Sequence, residues 1–121
     1  MIRFKSLNQS KDFLKILKNK RINTKYFTVY FSKNSKNFNN SFNKYLNISF
    51  VMKKDAGNAV TRNKIKRKLK YAVQKISKEK KLIDLNYTYV IFGKNNVYKD
   101  KFANVLSEVN ETFKKIKQIK N

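Results

Sequence analysis

Residues 59–80 combine an apolar stripe of helical spacing with a dense run of positive charge. Five apolar residues recur at positions i, i+4, i+7, i+8 and i+11: Ile65, Leu69, Ala72, Val73 and Ile76. This spacing places them on one side of an α-helix. Gly57 and Asn58, just before it, are typical of a turn and an N-cap. The segment is therefore predicted to be a helix that buries one side and presents lysine and arginine on the other.

The polar side of this predicted helix repeats its cations every four residues. Arg62, Lys66 and Lys70 follow that spacing, and Asn63 and Arg67 lie beside them. The chain has only four Arg against 26 Lys, and two of the four fall here. A guanidinium group binds phosphate in a bidentate manner, which an ammonium group cannot do. The pattern favours a phosphate-binding surface, and a solvated helix face with two arginines by chance stays open as the alternative.

The charge of the whole chain indicates a polyanionic partner. Thirty basic and seven acidic residues give a net charge of +23 over 121 residues. A field of this size repels itself and is offset by binding nucleic acid. An A/T-rich genome would also enrich lysine, but it does not explain the shortage of acids. Membrane binding is not expected, because no apolar run reaches 18 residues and no free amphipathic helix is evident.

The missing residue types narrow the chemistry. The chain has no Cys and no His, which excludes disulfides, thiolate zinc sites and the commonest general base. A nuclease that works without RNA would need clustered carboxylates for metal ions. Seven scattered acids, among them Asp12, Asp55, Asp84 and Asp100, make that a poor hypothesis.

The rest of the chain alternates between strand and helix patterns. Four segments have strand patterns: Ile22–Thr24, Tyr26–Phe31, Leu46–Met52 and Asn86–Phe92. The first of them is expected to be a short edge strand paired with the second. Two more helices are predicted, one from Ser10 to Asn19 and one whose stripe runs from Phe102 to Ile116. Residues 32–44 are a polar, low-complexity loop expected to be mobile, and 118–121 a tail. The expected fold is one α+β domain over 1–121, ordered α-β-β-β-α-β-α, with helices packed on a sheet.

The first strong strand has two different faces. Tyr26, Thr28 and Tyr30 alternate with an apolar set on its other face. The tyrosines could stack bases of single-stranded RNA beside the basic helix. They could equally line the edge of the core.

The basic segment resembles the signature of the bacterial ribonuclease P protein component. The matching residues are Lys53, Lys54, Gly57, Asn58, Ala59, Val60, Arg62, Asn63, Ile65, Lys66 and Arg67. Asp12-Phe13 and the aromatic strand are similar to an earlier signature of that family, and the likeness covers about residues 5–117. The family's strand–helix–strand crossover is left-handed, so that hand is expected here although most parallel crossovers are right-handed.

The resemblance implies a protein subunit that assists a catalytic RNA. In that family the RNA subunit removes the 5′ leader of precursor tRNA with Mg²⁺, so this chain is expected to carry no catalytic residue and no metal of its own. The residues expected to bind the RNA subunit are Lys53, Lys54, Asn58, Arg62, Asn63, Lys64, Lys66, Arg67 and Lys70. Lys64 and Lys70 stand where arginine is common. Those expected to line a cleft for the leader are Phe13, Leu17, Thr28, Tyr30 and Met52.

Further expectations complete the hypothesis of a ribonuclease P protein subunit or compete with it. For Met52 the strand alternation predicts a place in the core instead of the cleft. The expected partners are the RNA subunit and precursor tRNA, and the free protein is expected to be a monomer in the bacterial cytoplasm. A ribosomal or other general RNA-binding protein, without a role in cleavage, is the alternative that composition leaves open.

Overall fold

The structure is a computed structural model that describes residues 3–6, 10–33, 45–52, 57–80, 83–84 and 86–120. The strands are β1 (Arg3–Lys5), β2 (Lys20–Asn23), β3 (Phe27–Lys33), β4 (Tyr45–Met52) and β5 (Tyr87–Gly93). The helices are α1 (Ser10–Leu17), α2 (Ala59–Lys80), α3 (Asn96–Lys99) and α4 (Phe102–Lys120). None of the helices in these ranges is long and apolar enough to cross a membrane.

The five strands form one mixed sheet in the order β1-β4-β5-β3-β2. β2 and β3 form an antiparallel hairpin, and β3 is antiparallel to β5. β4 runs parallel to both β1 and β5, so α2 is the crossover between two adjacent parallel strands. The predicted α+β class is confirmed, and the left hand of the crossover stays a prediction.

Alternation along the strands gives the sheet two unlike faces. Phe27, Val29 and Phe31 of β3 point to one face, where Tyr89 and Ile91 of β5 join them. The apolar stripes of α2 and α4 cover this side, which we call the core face. Its fully buried helix residues include Ile65, Leu69, Ala72, Val73, Val105, Val109, Phe113 and Ile116. Burial of these apolar side chains stabilises the fold.

The opposite side of the sheet, called here the open face, is crossed by the short helix α1. This helix contacts β2, β3 and β5. Ile16 of α1 and Val90 of β5 are buried on this side. Because α1 has only eight residues, it covers a small part of the sheet.

The start of α2 is set by the two residues that the sequence marks. Gly57 has a φ of +130°, which residues with a side chain rarely adopt. The Asn58 side-chain oxygen accepts a hydrogen bond of 2.9 Å from the backbone N–H of Thr61. This N-cap satisfies one of the free donors at the helix terminus. The predicted bounds of this helix, Ala59 to Lys80, are confirmed.

Some predicted elements differ from the structure. β1 and α3 were not predicted, because three and four residues are too short to show periodicity. Ser32 and Lys33 continue β3 instead of starting a loop, and 34–44 lie outside the described residues. Residues 118–120, predicted as a tail, are the last turn of α4.

Candidate nucleic-acid interface

One flank of α2 gathers most of the cations that the sequence singles out. Arg62 is half-buried, while Asn63, Lys66, Arg67 and Lys70 are exposed. Their spacing of three and four residues makes them neighbours along the helix. We call Arg62, Lys66, Lys70 and Asn63 the arginine flank. Of the other expected RNA-binding residues, Asn58 caps the helix, and Lys53 and Lys54 lie outside the described residues.

A pocket opens at the base of the arginine flank. It has a volume of about 260 Å³ and lies between the end of β4 and the first turns of α2. It is lined by Phe50, Met52, Ala59, Arg62, Asn63 and Lys66. The Nε atom of Arg62 is buried and meets no acceptor within the described part of the chain. An apolar floor below cationic and amide donors suits a nucleotide, with acceptors on both its base and its phosphate.

The position of Met52 corrects one expectation. Register places Met52 opposite Gly93, on the core face, where it packs at the edge of the core. A Cβ atom added to Gly93 would lie 2.8 Å from the Met52 sulfur and 2.9 Å from Ile65 Cγ2. Met52 therefore lies under α2 and shares no surface with Thr28 and Tyr30, as the strand alternation predicts.

Lys64, which the resemblance adds to the expected RNA-binding residues, lies on another side of α2 from Arg62 and Lys66. Successive helix residues are rotated by about 100°, so Lys64 lies almost opposite both Arg62 and Lys66. Its Nζ atom is 5.8 Å from the centre of the Tyr98 ring on α3. Lys64 thus belongs to the other flank of α2, which faces α3.

The open face presents aromatic and hydroxyl groups. Leu17, Thr28 and Tyr30 are all half-buried there, and the Tyr30 ring meets Phe92 edge to face at 5.6 Å between ring centres. The Thr28 hydroxyl donates to the Asn23 side chain at 2.7 Å. Phe13 lies on α1, and its side chain is outside the described part of the structure. Three of the expected cleft residues therefore share one surface.

Two residues of the open face were missed by sequence reasoning. Phe92 follows Val90 at strand spacing, so alternation shows that the two share a face, and the register with Thr28 shows that this is the open face. Arg21 is the register partner of Tyr30, so its side chain lies on the same face at the exposed edge of the sheet. The rarity of arginine in this chain was the available signal.

Tyr26 departs from the predicted stacking set. It precedes β3, is only 6% exposed, and its hydroxyl donates a hydrogen bond to the carboxylate of Asp100. This bond, aided by Lys25 at 3.8 Å, holds the pKa of Asp100 below its usual value, against partial burial. The same bond raises the pKa of Tyr26. The pair ties the start of β3 to α3 and stabilises the fold.

No group of three or more possible metal ligands occurs within 3–6, 10–33, 45–52, 57–80, 83–84 and 86–120.

Comparison with known proteins supports one family throughout. The sequence model of the family Ribonuclease P matches residues 1–117. The ribonuclease P protein component of Mesoplasma florum is 34% identical over 85 residues, which are 70% of this chain and 69% of that one.

Solved structures agree with the sequence comparison. The RNase P protein from Thermotoga maritima in complex with 1-(4-fluorophenyl)-2-thiourea has a TM-score of 0.69 and 26% identity, covering 89% of this chain and 96% of that one. An RNase P protein mutant from Staphylococcus aureus, described as defective in mRNA degradation activity, has a TM-score of 0.73. At 22% identity, over 93% of this chain and 87% of that one, it shows a common fold. The chain belongs to the family of ribonuclease P protein components, the protein subunits of an endoribonuclease in tRNA processing.

Proposed function

We propose that the arginine flank of α2 binds the catalytic RNA subunit. The observation that carries this proposal is the buried Nε of Arg62, which meets no acceptor in the described part of the chain and borders the α2 pocket. A buried donor without an acceptor costs about 1–3 kcal/mol. A phosphate or base oxygen of RNA supplies the acceptor, and Lys66 and Asn63 offer further donors beside it.

The open face is the surface that we assign to the 5′ leader of precursor tRNA. On β3, β4 and β5 the side chains that point to this face are uncharged, with Tyr30 and Phe92 as its aromatic pair. Cations lie at its two edges, Arg21 on β2 and Lys5 on β1. A single strand can stack its bases on such a floor and place its phosphates at the rims.

The catalytic Mg²⁺ is assigned to the RNA subunit. The arginine flank consists of cations and an amide, a set that repels a divalent cation, so we assign no Mg²⁺ ligand in it. Its positive charge offsets phosphate repulsion, and less Mg²⁺ is then needed to hold RNA and substrate together. We also propose that the free protein is a monomer and acts in the bacterial cytoplasm.

Reconstitution with the RNA subunit tests this function. Cleavage of precursor tRNA is measured across Mg²⁺ concentrations with the RNA alone, with this protein, and with polylysine at equal total charge. The protein is expected to lower the Mg²⁺ needed for half-maximal cleavage, and polylysine is expected to do so far less. Equal effects of the two polycations would favour a general RNA-binding protein.

A further inference from the structure

The flank of α2 opposite the arginine flank carries exposed aromatic residues among lysines. Lys64, Lys68, Tyr71 and Lys75 recur there at spacings of three and four residues. Tyr71 is 59% exposed, and Tyr98 on the neighbouring α3 is 44% exposed. We call Tyr71, Tyr98 and Lys64 the tyrosine flank. Neither tyrosine belongs to the hydrophobic core, so packing alone does not account for them.

The tyrosine flank is held in place from below. The Tyr71 ring packs on Phe102 at 5.3 Å between ring centres, and Lys64 lies against the Tyr98 ring. The Lys68 ammonium donates to the carbonyl of Val97 at 2.8 Å and also to that of Asp100. These bonds fasten α3 to α2. The exposed rings therefore sit on a fixed base, and a ligand stacking on them orders little more of the chain.

The charge around the two rings is positive. Lys64, Lys75, Lys99 and Lys101 are all exposed nearby along α2 and the α3–α4 junction. The carboxylate of Asp100, which follows α3, is already engaged by Tyr26 and Lys25. Exposed aromatic rings with cations beside them suit unpaired nucleotides, whose bases stack while their phosphates meet the lysines. Interfaces between proteins are depleted in lysine, so a protein partner fits this surface less well.

We propose that the tyrosine flank is a second contact for the RNA subunit and stacks unpaired nucleotides of that RNA. The inference rests on the proposed binding of the same RNA to the arginine flank. Arg67 connects the two surfaces, since it lies three residues after Lys64 and four before Tyr71. The leader is assigned to the other face of the sheet, so it does not compete for this site.

Affinity for the RNA subunit tests the inference. Tyr71→Leu and Tyr98→Leu remove the rings and keep apolar bulk, and Tyr71→Phe and Tyr98→Phe are the matched controls that keep the rings. Each leucine variant is expected to weaken binding about tenfold, within the range for one stacked base, and each phenylalanine variant by less than about twofold. Thermal melting of every variant checks the fold. Wild-type affinity in folded leucine variants overturns the inference.

Tyr98→Trp gives a second measurement that does not depend on removing a contact. The chain has no Trp, so the new indole is its single reporter of that type. Its fluorescence is expected to be quenched on titration with the RNA subunit, because a base stacks on it. Emission that stays unchanged while the RNA binds contradicts stacking at α3.

Arg62→Ala separates this inference from the proposed function. If Arg62→Ala weakens RNA binding and the leucine variants do not, the tyrosine flank is refuted and the proposed function stands. If neither changes the affinity, both fail. Leucine variants that bind RNA normally but lose self-association in sedimentation would show a protein contact instead, which also overturns the inference.

Discussion

The two faces of the sheet are built from the same strands but present different chemical groups. The core face is covered by the long helices α2 and α4. The cations of the arginine flank lie on α2, outside its apolar stripe of Ile65 and Leu69. Among the described elements, α1 is the one that crosses the open face, which keeps Tyr30 and Phe92 half-exposed. Because α2 packs on the core face, its cations are held on a rigid helix. Because the open face is only partly covered, its aromatic rings remain accessible to a ligand.

This contrast means that the arginine flank and the open face are expected to bind RNA through different interactions. The arginine flank offers hydrogen-bond donors and charge, which suit the phosphates of a folded RNA. The central strands of the open face offer rings and hydroxyls, with Arg21 and Lys5 on its edge strands, and this combination suits an unpaired strand. Variants of the arginine flank should therefore change the affinity for the RNA subunit in a salt-dependent manner. Variants of the open face should change the preference for leader-bearing tRNA and depend less on salt.

The largest effect is expected for the core face itself. Leu69→Ala removes a fully buried side chain and should lower the free energy of unfolding by about 2–5 kcal/mol. Leu14→Ala, on α1 where the side chain is 59% exposed, should change it by less than about 0.5 kcal/mol. Urea denaturation measures both. Similar losses would mean that Leu14 packs on the sheet as Leu69 does, which its exposure contradicts.

The arginine flank comes next in magnitude. Arg62→Ala should weaken binding of the RNA subunit by about 1–3 kcal/mol, as expected for a hydrogen bond to a charged group. It should also reduce the slope of log affinity against log salt by about one. Lys115→Ala removes the same charge from an exposed site on α4 and serves as the matched control. Equal losses of RNA affinity in both variants would indicate that RNA is held by the overall positive charge of the protein and not by a specific contact of Arg62.

A smaller effect is expected at the start of α2. Asn58→Ala removes the acceptor for the Thr61 N–H and should lower the free energy of unfolding by about 1 kcal/mol. Asn58→Asp keeps an acceptor and places a negative charge at the helix N-terminus, so it should retain stability. Thermal melting compares the two. If aspartate destabilises as much as alanine, the cap is not what fixes the helix start.

The smallest effect is a dependence of stability on acid. The pKa of Asp100 is lowered in the folded protein, chiefly by the Tyr26 hydrogen bond. Its contribution is therefore fully present above the unfolded-state pKa of about 3.9 and is lost as the pH falls through the lower, folded value. Tyr26→Phe should flatten the loss of stability in this acid range. Tyr45→Phe, at an exposed strand position, should leave the pH profile unchanged.

Sequence patterns predicted the elements that are long and regular. The α2 bounds follow from five apolar residues in helical register and the Gly57-Asn58 pair before them. β1 and α3 escaped prediction because they gain stability from partners distant in sequence. β1 pairs with β4, and α3 is fastened by Lys68.

The sequence predicted the types of residue in the candidate site, but it predicted their arrangement in space only in part. The helix repeat grouped Arg62, Lys66 and Lys70 correctly, whereas Lys64 was assigned to the same RNA-binding set by the family resemblance, although it faces Tyr98. Alternation separated Tyr30 from the apolar face of its strand but left open whether it is exposed. Its neighbours Phe92 and Arg21 depend on strand order and register, which the pattern of one strand does not contain. The exposure of Tyr71 and Tyr98 likewise depends on how α3 docks.

Discrimination between leader-bearing and leaderless tRNA tests the division of roles most directly. The ratio of the two Kd values is measured for holoenzymes containing wild-type protein, Tyr30→Ala or Arg62→Ala, with the RNA subunit saturated in each case. Tyr30→Ala is expected to reduce the preference for the leader by about tenfold, within the range for loss of one stacked base. Arg62→Ala should leave the preference unchanged. Equal reductions in both variants, or a reduction in Arg62→Ala alone, would contradict the assignment of the leader to the open face.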